Sequence, residues 1–162
     1  MTSKFRKLPL TCLIISIFRL LIGKLRLSKQ FIGKTVEMNK NSHYQIFRHI
    51  TNTQVDSDYK STVFIVSFKF SKLSHKANKL TSIIPMLLIT GFPGFVKKIY
   101  AVNHKNGYWQ GMYQWESIEN LEEYKNSIVF KVMNKRAIPE SINSVQYENR
   151  SLDSYIFQKL RE

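Results

Sequence analysis

Residues 61–70, "STVFIVSFKF", alternate Phe64, Val66, Phe68 and Phe70 against Val63, Ile65, Ser67 and Lys69, which predicts a strand buried on at least one face. In "SKLSHKANKLTSIIPMLLIT" (71–90) the period lengthens. Leu73, Ala77, Leu80, Ile83 and Ile84 fall on one side of a helix, with Ser71 as its N-cap and Pro85 kinking or ending it. "GFPGFVKKIYAVN" (91–103) reads as a turn and a second strand, and Asn106-Gly107 signals a hairpin into a third. "GMYQWESIENLEEY" (111–124) changes from period two to period three at Ser117, so Ser117 caps a helix directly after the aromatic strand. "IVFKVMNKRAIPE" adds a further helical turn or two, "SINSVQYEN" is a fourth strand, and "SLDSYIFQKLRE" is a polar tail with Tyr155, Ile156 and Leu160 available to pack.

Strand, helix, strand, hairpin, strand, helix, strand is the ferredoxin-like α+β plan, βαββαβ, with a four-stranded antiparallel sheet and both helices on one face. This places the compact domain at residues 61–162. The strands are apolar on both sides, whereas the helices cover one, so a homodimer through the other face is expected.

Residues 1–60 form a different segment. Leu8–Ile22 is strongly apolar but only fifteen residues long and broken by Arg19, short of the ~18–20 residues a spanning helix needs. On a helix over residues 8–27, Cys12, Ser16, Arg19, Gly23 and Arg26 share one narrow face and Leu10, Leu13, Ile14, Ile17, Leu20, Leu21 and Leu25 the other. Three readings stay open: a basic amphipathic helix on an anionic membrane surface, packing on the chain's own domain or a second subunit, or a targeting segment. Residues 29–50 read as a small hairpin and "TNTQVDSDYKS" as a linker.

Charge narrows the partners. The chain carries 25 Lys and Arg against 11 Asp and Glu, a net +14, which favours acidic partners. Residues 1–36 hold Lys4, Arg6, Lys7, Arg19, Lys24, Arg26, Lys29 and Lys34 and no acid. These alternate with Leu and Ile, which stack on no base, so the pattern argues for lipid and against nucleic acid. The single cysteine, Cys12, gives no disulfide framework or zinc pattern, and a cytoplasmic location, peripheral on the membrane, is expected.

"GFPGFVKKIY", "NGYWQGMYQWES", "ENLEEYKNS" and "SINSVQYE" together resemble the dimeric α+β barrel proteins, in particular the monooxygenase-like branch related to antibiotic-biosynthesis monooxygenases. The resemblance covers about residues 61–149. It implies a homodimer enclosing a mostly apolar cavity, and in some relatives oxidation of aromatic or quinol-type substrates by dioxygen with no metal, flavin or other cofactor. Such chemistry needs an apolar pocket and a group that holds the substrate anion. Lys98, Tyr100 and Tyr113 are the candidate catalytic residues, with Trp109 and Trp115 as substrate-binding walls. The competing role for these aromatics is core or dimer packing, and for Lys98 a surface ladder. His43, His49, His75 and His104 lack metal-ligand spacing and read as ordinary surface residues. No phosphate loop, nucleophile elbow or paired carboxylates occur. An enzyme, a non-catalytic binder of a lipophilic ligand and a membrane-peripheral interaction module are the three function classes that fit.

Overall fold

The period change at Ser117 is a strand handing directly to a helix: Trp109–Trp115 is strand, Ile118–Lys125 is helix, and Ser117 Oγ accepts the Asn120 N–H at 3.3 Å. The computed structural model of the chain describes residues 7–38, 42–56, 61–71 and 74–160. In order its elements are α1 (Pro9–Leu21), β1 (Leu25–Leu27), β2 (Thr35–Glu37), β3 (His43–Asn52), β4 (Ser61–Phe68), α2 (His75–Thr81), α3 (Ile83–Thr90), β5 (Phe95–Val102), β6 (Trp109–Trp115), α4 (Ile118–Lys125), α5 (Ile128–Asn134), β7 (Asn143–Arg150) and α6 (Leu152–Lys159).

All strands join one antiparallel sheet of order β1-β3-β5-β6-β4-β7, with β2 also on β3. The run β5-β6-β4-β7 is the ferredoxin-like unit that the period changes predict, but the sheet has seven strands rather than four. The reason lies in residues 43–52. The expected hairpin is present, Val36 opposite Tyr44, yet β3 continues and pairs along β5, with Arg48 opposite Tyr100 and Ile50 opposite Lys98. An open β5 edge would present unpaired backbone groups, and β3 satisfies them.

Other expectations are corrected in detail. The N-cap of α2 is Ser74, which accepts the Ala77 N–H, rather than Ser71; Leu73 lies outside the described residues. The helix breaks at Ser82, not at Pro85, which sits in the first turn of α3 where a missing N–H costs nothing. The predicted helix over residues 8–27 stops at Leu21. Gly23, at φ +73°, closes it with Lys24 N donating to Arg19 O and Gly23 N to Leu20 O, and Leu25 and Arg26 fall in β1. Lys4 and Arg6 lie outside the described residues.

Two cores flank the sheet. On the helical side Phe64, Val66, Ile89, Phe92, Phe95, Trp115, Leu121 and Tyr124 pack together. On the other side Phe31, Ile46, Val63, Ile65, Ile99 and Met112 pack under Leu152, Tyr155 and Ile156 of α6. The supposed polar tail is therefore a helix with a buried apolar face, held by Leu152 N donating to Gln114 Oε1 at 3.0 Å and a buried Lys97–Asp153 ion pair at 2.6 Å. On the face for which a second copy was expected, α6 covers part of the sheet, while Val145 of β7, opposite Ile65, stays half exposed.

His49 of β3 lies in this second core, stacked on Phe31, 2% exposed, with no hydrogen-bond partner at either ring nitrogen. Burial first, then the nearby Lys97 charge, hold its pKa down at about 4 against an ordinary 6.5. The unfolded chain binds this proton more readily, so stability falls as pH drops through the window from 6.5 to 4, and the shift corresponds to about 3 kcal/mol. His49→Gln should lose much less stability than the wild type between pH 7 and pH ~4.5, measured by urea denaturation at each pH. Equal losses would place the acid sensitivity elsewhere.

α1 packs on α3 with an unexpected orientation. Its Cys12 and Ser16 are buried: Ser16 Oγ donates to Leu87 O and meets Thr90 Oγ1 at 2.8 Å, and Arg19 Nη1 donates to Thr90 O at 3.3 Å. Gly91 permits this contact, since a Cβ there would lie 1.8 Å from Cys12 O. Burial pushes the Cys12 thiol up to about 11, so it packs as a small apolar group. No helix among the described residues is long and apolar enough to cross a membrane.

Candidate functional site

β5 carries two consecutive lysines, and the pleat sends them to opposite faces. Lys97 meets Asp153 beneath α6. Lys98 enters the helical side, is 1% exposed, and among the described residues its Nζ has no hydrogen-bond partner. It is opposite Tyr113 across the β5–β6 ladder, and Nζ lies 4.1 Å from the Tyr100 ring centroid and 4.3 Å from that of Tyr113. The ring faces favour the cation. Burial acts the other way and dominates, with the Arg48 charge adding to it, so the Lys98 pKa sits well below its ordinary value. Burial raises the Tyr100 and Tyr113 hydroxyls above the usual phenol range, keeping both as proton donors.

Gly111 stands opposite Tyr100 on β6. A Cβ there would lie 2.8 Å from Tyr113 Cε2 and 2.9 Å from its hydroxyl, so glycine lets the Tyr113 ring fold over this strand position and approach Lys98.

Four of the five residues proposed from sequence meet at one cavity between sheet and helices. Lys98, Tyr100, Trp109 and Tyr113 line it together with Phe68, Phe70, Ser82, Pro85, Met133 and Arg136. Trp115 does not. It is fully buried in the core, stacked on Tyr124 at 4.7 Å and edge-on to Phe92 and Phe95. The cavity measures about 20 Å³, roughly one water. A neighbouring space of about 10 Å³ shares Phe68, Tyr113 and Met133 as walls. Met133, with Phe68 and Tyr113, stands between the two spaces, and its unbranched side chain is the most adaptable of the three.

Two arginines that sequence reading passed over frame this site. Arg48, from β3, donates to Ser82 Oγ at 2.6 Å and Lys79 O at 2.9 Å, with its guanidinium 5.5 Å from the Tyr100 ring. Arg136 donates to Thr81 Oγ1 at 2.8 Å and lies over Phe70 at 5.0 Å. No local pattern marks Arg48: it shares a face with Tyr100 because β3 pairs along β5, which only the fold reveals. Among the described residues no carboxylate lines the cavity. The arrangement suits an anion with an apolar body.

The exposed His75 and His104 do approach each other, their rings 5.9 Å apart, and His75 stacks on Trp109. Among the described residues no three His, Cys, Asp or Glu side chains converge to hold a metal.

No protein-family model matches the chain, and no curated protein does. Solved structures do. A ferredoxin-fold protein related to antibiotic biosynthesis monooxygenases, from Listeria monocytogenes, superposes with a TM-score of 0.55 at 8% identity, covering 84% of this chain and 89% of that one. A monooxygenase-like protein from Listeria innocua gives 0.52 at 9% identity, over 84% and 86% of the two chains. A heme-degrading enzyme from Listeria monocytogenes gives 0.51 at 10% identity, over 82% and 92%. These superpositions agree with the strand and helix order, and the chain has the ferredoxin-like α+β fold.

Proposed function

We propose that the cavity beneath α3 and α5 accepts a lipophilic aromatic acid, a phenol or quinol in class, and that the chain is a cofactor-independent monooxygenase-like enzyme. Lys98 carries this reading, as a buried amine without a partner aimed into an aromatic pocket. In its neutral form Lys98 takes the acidic O–H or activated C–H proton of the substrate. The resulting ammonium and substrate anion then pair in a low-dielectric site, where the attraction is far stronger than in water.

The anion passes one electron to dioxygen and the radical pair joins at carbon. The peroxide anion so formed recovers the proton from Lys98, and loss of water leaves a carbonyl. Overall a CH₂ group plus O₂ gives C=O plus H₂O, so no external reductant is needed. Tyr100 and Tyr113, as phenols, donate hydrogen bonds to the developing oxyanion, and Trp109 forms an apolar wall.

The test is turnover of a panel of phenols and quinols in air and under nitrogen, with product mass and oxygen uptake recorded. The expected result is product only in air, oxygen incorporated from isotopically labelled dioxygen where a CH₂ is oxidised, and loss of both in Lys98→Met. Tight binding in air without turnover would assign the other reading, a non-catalytic holder of lipophilic ligands. Neither binding nor turnover would remove the site assignment.

A further inference from the structure

The helical layer is dressed the wrong way round for a chain whose outer surface meets only water. α3 lies between α1 and α5, touching both, and the layer's inner side packs on the sheet. Its remaining surface is apolar. On α1, Leu10 (68% exposed), Ile14, Ile17, Phe18 and Leu21 (81%) point away from the protein, because Cys12 and Ser16 are the residues turned to α3. Ile83 and Ile84 on α3 and Ile128 and Val132 on α5 are exposed as well. Scattered single apolar residues are ordinary on a surface, but a run across three adjacent helices marks an interaction face.

The charge on these helices chooses the partner. α1, α2, α3 and α5 contain no Asp or Glu, while Arg19, Lys76, Lys79 and Lys131 lie on them. The acids Glu119, Glu122 and Glu123 are gathered on α4. Beside α1 an open groove of about 290 Å³, lined by Ile14, Ile15, Phe18 and Ile22, is flanked by Arg19 and Lys24, a shape and charge suited to a lipid.

We infer that the outward surface of α1, α3 and α5 is one docking face for an anionic lipid bilayer, with apolar side chains seated at the acyl boundary and the lysines and arginines among the headgroups. This differs from an isolated N-terminal anchor, because α3 and α5 belong to the ferredoxin-like unit and carry Pro85 and Met133 of the cavity wall. It stands independently of the oxygenase reading. A lipid-borne substrate would reach the cavity from the membrane side.

The experiment uses the full chain and two vesicle types, pure phosphatidylcholine and phosphatidylcholine mixed with phosphatidylglycerol, read by flotation. Binding is expected on the mixed vesicles only, falling as salt shortens the screening length to about 10 Å at 0.1 M. The pair Ile17→Gln and Phe18→Gln on α1, and separately the pair Ile84→Gln and Ile128→Gln on α3 and α5, should each weaken binding by about tenfold or more with melting temperature unchanged. Lys76→Gln with Lys131→Gln should weaken it through charge alone, without touching any apolar contact. Wild-type binding by the α3 and α5 pair would overturn the shared face and leave α1 acting by itself. Equal binding to both vesicle types would overturn the anionic part of the assignment, and no binding to either would overturn the lipid face altogether, concentration-dependent self-association then making a second copy the occupant.

Discussion

Lys98→Met is expected to melt higher than the wild-type chain while losing the oxidation of phenolic substrates. Methionine matches the lysine stem in length and fills the same space between Tyr100 and Tyr113, but it brings no amine to desolvate. The wild type has a buried Nζ without a hydrogen-bond partner, a condition that costs about 1–3 kcal/mol. Removing about 2 kcal/mol of penalty raises the melting temperature by about 4–8 °C in a chain of this size. The pH dependence gives a second reading of the same group. Because the folded pKa lies below the ordinary 10.5, the unfolded chain binds more protons over the range between the two, and the penalty fades as pH rises toward 10.5. The advantage of Lys98→Met should therefore shrink in alkaline solution. Destabilisation by the substitution at pH 7 would mean that the amine makes a favourable contact in the fold, and Lys98 would cease to be a site candidate.

Trp115→Ala should cost about 3–5 kcal/mol of folding free energy, the largest loss expected from any single substitution considered for this chain. The side chain is fully buried between Tyr124, Phe92 and Phe95, and an alanine leaves a cavity that the surrounding rings cannot collapse to fill. Trp115→Phe keeps the ring packing and removes an indole N–H that has no partner, so it should cost under about 1.5 kcal/mol. Substrate turnover per folded molecule should survive both changes, because Trp115 does not line the cavity. Selective loss of turnover in a stably folded Trp115→Phe would return this residue to the site. Urea denaturation with fluorescence, followed by the turnover assay at a temperature where the variant is folded, separates the two outcomes.

These two predictions also mark how far the chain could be read from its letters. Period and capping alone located β4 to β7, because alternation and N-cap chemistry are local properties. They placed Lys98 and Tyr100 on one face of β5 and Tyr113 and Trp115 on one face of β6, but not which stand opposite: a two-residue turn at Asn106-Gly107 would set Lys98 against Trp115, whereas the longer loop that forms sets it against Tyr113. They could not distinguish Tyr113 from Trp115. Both share that face two positions apart, and only the placement of α3 and α5 puts one against a cavity and the other under α4. Long-range pairing was equally hidden. Nothing in "YQIFRHI" says that Arg48 will reach Ser82, since that depends on β3 finding the β5 edge. The tail misled through composition: Leu152, Tyr155 and Ile156 recur at three- and one-residue steps among polar neighbours, a short helix whose apolar stripe means little until a sheet face lies beneath it.

The sheet's pairing order also sets a sequence of assembly. β5 and β6 are joined by a tight connection with Gly107 at φ +76°, so their ladder closes with little loop entropy. β4 and β7 instead align Ser61 with Arg150, bringing together parts of the chain separated by all of α2 to α5. On loop entropy the hairpin is expected to form first and the β4–β7 closure later, with β3 docking on an edge and α6 on a face that exist only once the centre has formed. Lys98 thus loses its hydration at the centre of the early hairpin's helical face when α3 closes over it. The cost of this catalytic candidate falls on helix docking, and substitutions at position 98 would change how quickly that layer closes more than how quickly the hairpin forms.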